Sequence, residues 1–170
     1  SEMLSVARRN YPAIKFHRGD MISFNLRRQF DVIVCLFSSI GYVKTVSKLH
    51  RAVQTIGRHL VSGGVLLVEP WFTPQQWGIG RVGIVSLEKP DHKIVRMSRS
   101  AARGKISIVE FEYLVGSSDG IEHYSETHKL GLFTHEEYLS AFQSAGLEVV
   151  HNAEGLDGRG LYIGIKANRE

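Results

Sequence analysis

Two unbroken apolar runs flank one amphipathic stripe, and few folds accommodate that pattern. Val32, Ile33, Val34, Cys35, Leu36 and Phe37 follow Asp31 without a polar residue, and Val65, Leu66, Leu67 and Val68 lead into Glu69 in the same way. A strand with one wet face alternates. A strand without alternation is covered on both faces, as in a parallel sheet between helices. Between the runs, Val46, Leu49, Val53, Ile56 and Leu60 recur at steps of 3, 4, 3 and 4, which draws one stripe down a helix. Ser62-Gly63-Gly64 is the expected stop, because glycine tolerates the left-handed position past a helix end. Strand, helix and strand predict a parallel pair with a right-handed crossover, and so an α/β fold.

Other stretches follow different rules. Met3, Leu4 and Ala7 share a helical face, with Asn10 before Tyr11-Pro12 as its stop. SEMLSVARRN reads as the middle of a helix, so a longer chain is expected. Residues 14–18 alternate like a strand. From 81 to 131, Val109, Phe111 and Tyr113 alternate with Glu110 and Glu112, and turns fall at Pro90-Asp91-His92, Arg103-Gly104 and 117–120. This predicts four antiparallel strands inserted as a second sheet, for substrate binding or dimerisation. The core is expected from 1–80 and 132–170. There, Thr134 and Glu137 form a capping box, with Phe133 and Tyr138 as its staple. Tyr138, Ala141, Phe142 and Ala145 form the buried stripe, and Gly146 closes the helix. Strands at 147–150 and 161–165 follow, joined by the glycine-rich loop 155–160.

Composition narrows the function classes. With 170 residues the chain suits one domain, and no apolar run nears the ~20 residues that span a bilayer. Cys35 is the single cysteine, so no internal disulfide forms, and a buried thiol in a reducing cytoplasm is expected. A net charge of +4 permits a phosphate-bearing partner. Arg96, Arg99, Arg103 and Lys105 cluster without aromatic interleaving, which reads as a wet strand face and turn rather than a nucleic-acid surface. His123 and His128 fall on opposite faces of one strand, so no metal site is expected.

In open α/β sheets, ligands sit at the carboxyl ends of the strands. Asp20, Phe37-Ser38 and Glu69-Pro70-Trp71 each follow a predicted strand and are expected to line one crevice. An acid followed by an apolar residue suits adenine, although Asp20 is equally suited to capping its own loop. Gly19-Asp20-Met21, FDVIVCLFSSIGY, LVSGGVLLVEPWF and Gly158-Arg159-Gly160-Leu161 together resemble one family over nearly the whole chain. It is the S-adenosylmethionine-dependent N,N-dimethyltransferases of nucleotide-linked deoxyaminosugars, as in macrolide sugar biosynthesis.

The resemblance implies a Rossmann-like class I methyltransferase sheet, S-adenosyl-L-methionine as cofactor, and in-line methyl transfer to a sugar amine. Asp20 and Met21 match the adenine-binding pair. Phe37 and Ser38 match the turn beside the methionine part of the cofactor. Tyr42 matches a position near the sugar amine, whose proton it or a water receives. Glu69, Trp71 and Arg159 match substrate-side residues, and the planar fork of Arg159 suits a phosphate. The family's first strand, its glycine-rich turn and the ribose-holding acid after its second strand have no counterpart here. The resemblance therefore implies a chain opening after that second strand, a strand at 14–18 without a neighbour, and poor cofactor binding by these residues alone. Alternatives are another small amine or hydroxyl acceptor, or a non-catalytic fragment that mediates dimerisation. A homodimer through the wet face of the inserted sheet is expected.

Overall fold

The computed structural model describes residues 2–168. Its first sheet has the order β1-β2-β8-β7, with β1 (Phe30–Cys35), β2 (Leu60–Val68), β7 (Leu147–Asn152) and β8 (Leu161–Lys166). β1 and β2 run parallel, with Val32 opposite Val65 and Val34 opposite Leu67. The crossover between them is α2 (Val46–Arg58), whose N-cap Thr45 accepts from the Lys48 N–H. β8 lies antiparallel between β2 and β7.

Leu49, Val53 and Ile56 of α2 meet Leu66 and Val68 of the sheet. Tyr138, Ala141 and Phe142 of α3 (His135–Ser144) complete this layer against Tyr162. Gly164 of β8 is needed here, because a Cβ on it would lie 2.5 Å from the Phe142 ring. The capping box forms as the sequence implies: Thr134 accepts from Glu137 N–H, and the Glu137 carboxylate accepts from Thr134 N–H. The staple rings of Phe133 and Tyr138 stand edge to face with centroids 5.7 Å apart.

Three expectations change. No strand forms at 14–18. A strand is stabilised by its ladder, and these residues have no neighbouring strand among those described. Ser62-Gly63-Gly64 does not end α2. The helix stops at Arg58, its cap His59 lends its carbonyl to the Phe30 N–H at 2.8 Å, and the glycines lie inside β2. They form an irregularity where the register jumps from Phe30–Leu60 to Val32–Val65, with Gly63 at φ +73°. Finally, only one face of the first sheet is covered among the described residues. Val32, Val34, Val150 and Ile165 on the other face are exposed, and α1 (Glu2–Asn10) buries no side chain.

The second sheet is an antiparallel meander of β3 (Val82–Glu88), β4 (His92–Arg103), β5 (Ile106–Ser117) and β6 (Gly120–Gly131). All three expected turns fall between its strands. Trp71 ties it to the first sheet: its indole N–H donates to Ser107 Oγ at 2.8 Å, and that hydroxyl donates to Leu130 O at 3.1 Å. Lys105 adds an ion pair to Glu137 at 2.5 Å. Gly41 permits close approach, since a Cβ there would lie 3.0 Å from the Leu130 side chain. Within the sheet, Arg99 of the basic cluster pairs with Glu110 at 2.7 Å, and Arg96 lies over the Phe111 ring at 4.8 Å.

Candidate active site

The site is built on a strained turn at the carboxyl end of β1. Phe37 and Ser38 both adopt left-handed backbone conformations, with φ of 53° and 54°. Such conformations cost about 1–3 kcal/mol each in non-glycine residues and persist only when neighbours enforce them. Here the enforcers are visible. Glu69 Oε2 accepts from the Phe37 N–H at 2.7 Å, Ser38 Oγ donates to Pro70 O at 2.7 Å, and Ser39 Oγ donates to Leu36 O at 2.7 Å. The turn thereby pushes the Phe37 ring into solvent, 86% exposed, while the Ser38 side chain is buried. Ser38 thus has its hydroxyl engaged by Pro70 and its carbonyl by the Gly41 N–H at 2.9 Å, and it serves to hold the turn.

Glu69 is 3% exposed, and its second oxygen accepts from Arg159 Nη2 at 2.5 Å. The same nitrogen donates to Asp157. The guanidinium lies 5.7 Å from the Trp71 ring and 5.9 Å from Phe72. Glu69, Trp71 and Arg159 therefore converge as the sequence suggests, but with a difference. Two carboxylates already share Nη2 of Arg159, so its fork is not wholly free for a phosphate.

Asp20, Met21 and Tyr42 share one hollow of about 360 Å³, which Lys48 also lines. Asp20 Oδ1 accepts from the Ile22 N–H at 3.0 Å, so the loop-capping role is present. Its second oxygen has no partner among the described residues. In that hollow an exposed carboxylate oxygen stands beside the apolar bodies of Met21 and Ile22. Tyr42 lies in the 3₁₀ turn Ser39–Val43, which follows Ser38 directly. The turn from 37 to 43 thus links this hollow to the Glu69–Arg159 group.

Other residues of the site carried no sequence signal. A second hollow of about 390 Å³ places Trp71 and Arg159 beside His135, His151 and Tyr162. His135 Nδ1 and Tyr162 Oη are 2.9 Å apart, and the His151 ring lies 4.5 Å from Tyr162. Burial, and then the neighbouring His135, hold the His151 imidazole below its ordinary range. Burial pushes the Tyr162 phenol above its own. His128, bonded to Tyr42 at 2.6 Å, and Asp157 are further additions. Each belongs to a segment far from its partner or to an ordinary loop, so spacing could not announce it. Among the described residues, no three His, Cys, Asp or Glu side chains gather as metal ligands.

The fold is that of the class I S-adenosylmethionine-dependent methyltransferases. An S-adenosylmethionine-bound amino pentose methyltransferase from Micromonospora echinaspora, involved in calicheamicin biosynthesis, superposes with a TM-score of 0.90 at 37% identity, covering 98% of this chain and 70% of that one. Two curated relatives narrow the class further. One is a dTDP-3-amino-3,6-dideoxy-alpha-D-glucopyranose N,N-dimethyltransferase from Streptomyces fradiae, 39% identical over 166 residues, which are 97% of this chain and 65% of the relative. The other is a dTDP-3-amino-3,4,6-trideoxy-alpha-D-glucopyranose N,N-dimethyltransferase from Streptomyces venezuelae, 38% identical over 98% of this chain and 70% of the relative. The chain belongs to this family of dTDP-aminodeoxysugar N,N-dimethyltransferases. It spans about two thirds of the length of the relatives it matches. No family model matches it.

Proposed function

We propose that the protein is an S-adenosyl-L-methionine-dependent N-methyltransferase acting on the amino group of a nucleotide-linked deoxyaminosugar. The observation that carries the reading is the enforced turn at Phe37-Ser38, flanked by a purine-sized hollow on one side and the Glu69–Trp71–Arg159 group on the other, in a chain of this family. When bound, the cofactor supplies an electrophilic methyl whose bond to sulfur breaks as the bond to nitrogen forms. Asp20 accepts from the exocyclic amine of adenine, and Met21 covers the ring. The exposed Phe37 ring, on the turn that the buried Ser38 holds, borders the sulfonium, where an aromatic face favours a cation. Glu69, Trp71 and Arg159 position the sugar nucleotide, with the open edge of Arg159 toward a phosphate oxygen. Tyr42 stands at the amine.

Catalysis then rests on orientation: nucleophile, methyl and sulfur must be collinear, and pre-paid ordering is worth several kcal/mol, up to ~7–11 for well-aligned intramolecular reactions. The rigid turn supplies that ordering. The same reading makes the protein cytoplasmic, and no described helix is long and apolar enough to cross a membrane. It also makes it a homodimer through the second sheet, whose exposed Val82, Ile84 and Met97 share one face.

The test is methyl transfer from radiolabelled S-adenosylmethionine to a dTDP-linked aminodeoxysugar, set against free amines and phenols of similar size. Transfer to the nucleotide-linked amine alone supports the reading. Preference for the free acceptors contradicts the substrate class, and transfer to none contradicts the activity.

A further inference from the structure

The Tyr42 hydroxyl lies 2.6 Å from Nδ1 of His128, although the two residues are 86 positions apart. Tyr42 comes from the turn beside the first sheet and His128 from β6 of the second. The other imidazole nitrogen, Nε2, is 3.3 Å from Glu126 Oε2. That same oxygen accepts from the Tyr113 hydroxyl at 3.3 Å. An ionised carboxylate only accepts, so Nε2 bears the proton that faces it. Nδ1 is then left with its lone pair, and the Tyr42 hydroxyl donates to it. Phe111 holds the ring edge to face at 5.4 Å. Tyr42 also lines the hollow of Asp20 and Met21. Its oxygen therefore joins that hollow to a base lying outside it.

We propose that His128 receives the proton of the substrate ammonium, through Tyr42. This rests on the reading of the protein as an aminosugar N-methyltransferase. An amine can displace a methyl from sulfur only after it has lost its proton. One ammonium N–H bond breaks as an O–H bond forms on Tyr42, while the original hydroxyl proton of Tyr42 moves to Nδ1 of His128. Tyr42 ends neutral, the imidazole ends as an imidazolium, and the amine has its lone pair. One positive charge has moved from substrate to His128, which faces solvent enough to return the proton to water. A neutral phenol alone would have to carry that charge itself, and an imidazole behind it removes the need. The groups facing His128 are Tyr42 from the turn, Phe111 and Tyr113 from β5, Arg96 from β4 beyond the Phe111 ring, and Glu126 from its own strand.

His128→Asn tests the proposal, because the amide oxygen falls where Nδ1 stands. It keeps the bond to Tyr42 and accepts no proton. We expect kcat to fall about a hundredfold, the low end for a general base, with KM for the sugar nucleotide and S-adenosylmethionine binding unchanged. The acid limb of the pH profile should move to higher pH, where solvent deprotonates the amine. Tyr42→Phe should give a similar loss, and the double variant no more, since both act on one path. If His128→Asn retains wild-type turnover and pH profile, the relay is wrong. The same holds if His128→Ala alone loses activity, because Tyr42 then needs only a hydrogen-bond acceptor. A wild-type protein that transfers no methyl overturns the functional reading, and the relay with it.

Discussion

Arg159 and Glu69 show how a single pair can serve both stability and site. Glu69 is nearly fully buried and has two partners, the Arg159 guanidinium and the Phe37 amide. Removing the cation leaves a buried carboxylate uncompensated, which costs about 3–5 kcal/mol where both partners are fully buried. Arg159 keeps 21% of its side chain in solvent, and Asp157 shares it. We therefore expect Arg159→Met to lose about 2–3 kcal/mol in urea unfolding at neutral pH. Double substitution with Glu69→Gln should restore part of that loss. The sequence placed these residues at one site. It did not show that they neutralise each other, because that depends on how the loop from 153 to 160 folds back on β2. Cys35 gives a second test at this scale. Burial pushes its thiol from 9.0 up to about 11. Folding favours the protonated form, so the stability this group lends is whole below pH 9.0 and is lost as pH rises through about 11. The urea midpoint of the wild type should fall more across that window than that of Cys35→Ala. Parallel curves would contradict it.

At the scale of elements, signals completed within one segment were read correctly, and those decided by a distant partner were not. Thr134 and Glu137 are three residues apart, and their reciprocal bonds need nothing beyond the helix they start. Thr134→Ala should cost about 1 kcal/mol, the usual worth of an N-cap, measurable by thermal unfolding. Ser62-Gly63-Gly64 carried an ambiguous signal, since glycine marks bulges as well as helix ends. The bonding of Phe30 to His59 decided between them. The alternation at 14–18 was genuine, but a strand without a ladder partner does not form. Gly164 was unremarkable in sequence, yet it is where β8 meets α3. Gly164→Val should lose at least the ~1–3 kcal/mol typical of overpacking, because the Phe142 ring has no room to yield.

Over the whole molecule, the two sheets meet at few places. They are the Trp71–Ser107 bond, the Lys105–Glu137 pair, the close approach of Gly41 to β6, and Tyr42 with His128. Trp71 and Trp77 both lie at this junction, with rings 5.5 Å apart. Their fluorescence therefore reports sheet docking, while far-ultraviolet circular dichroism reports the strands themselves. We expect the two signals to unfold together, and separate transitions would show that the second sheet is docked loosely. The strands of that sheet and its turns were legible from alternation and turn residues. The contacts that join it to the site were not, because every one spans more than thirty positions. We propose that the turn at Phe37-Ser38 and the hollow of Asp20 and Tyr42 form one seat for a purine and a sulfonium. Calorimetric titration of S-adenosylmethionine into the wild type and Asp20→Ala tests it most directly. We expect weak but saturable binding with one site per chain, weakened about tenfold further in the variant by loss of a hydrogen bond to a charged acceptor. Absence of heat with the wild type, or equal affinity in the two proteins, would contradict it.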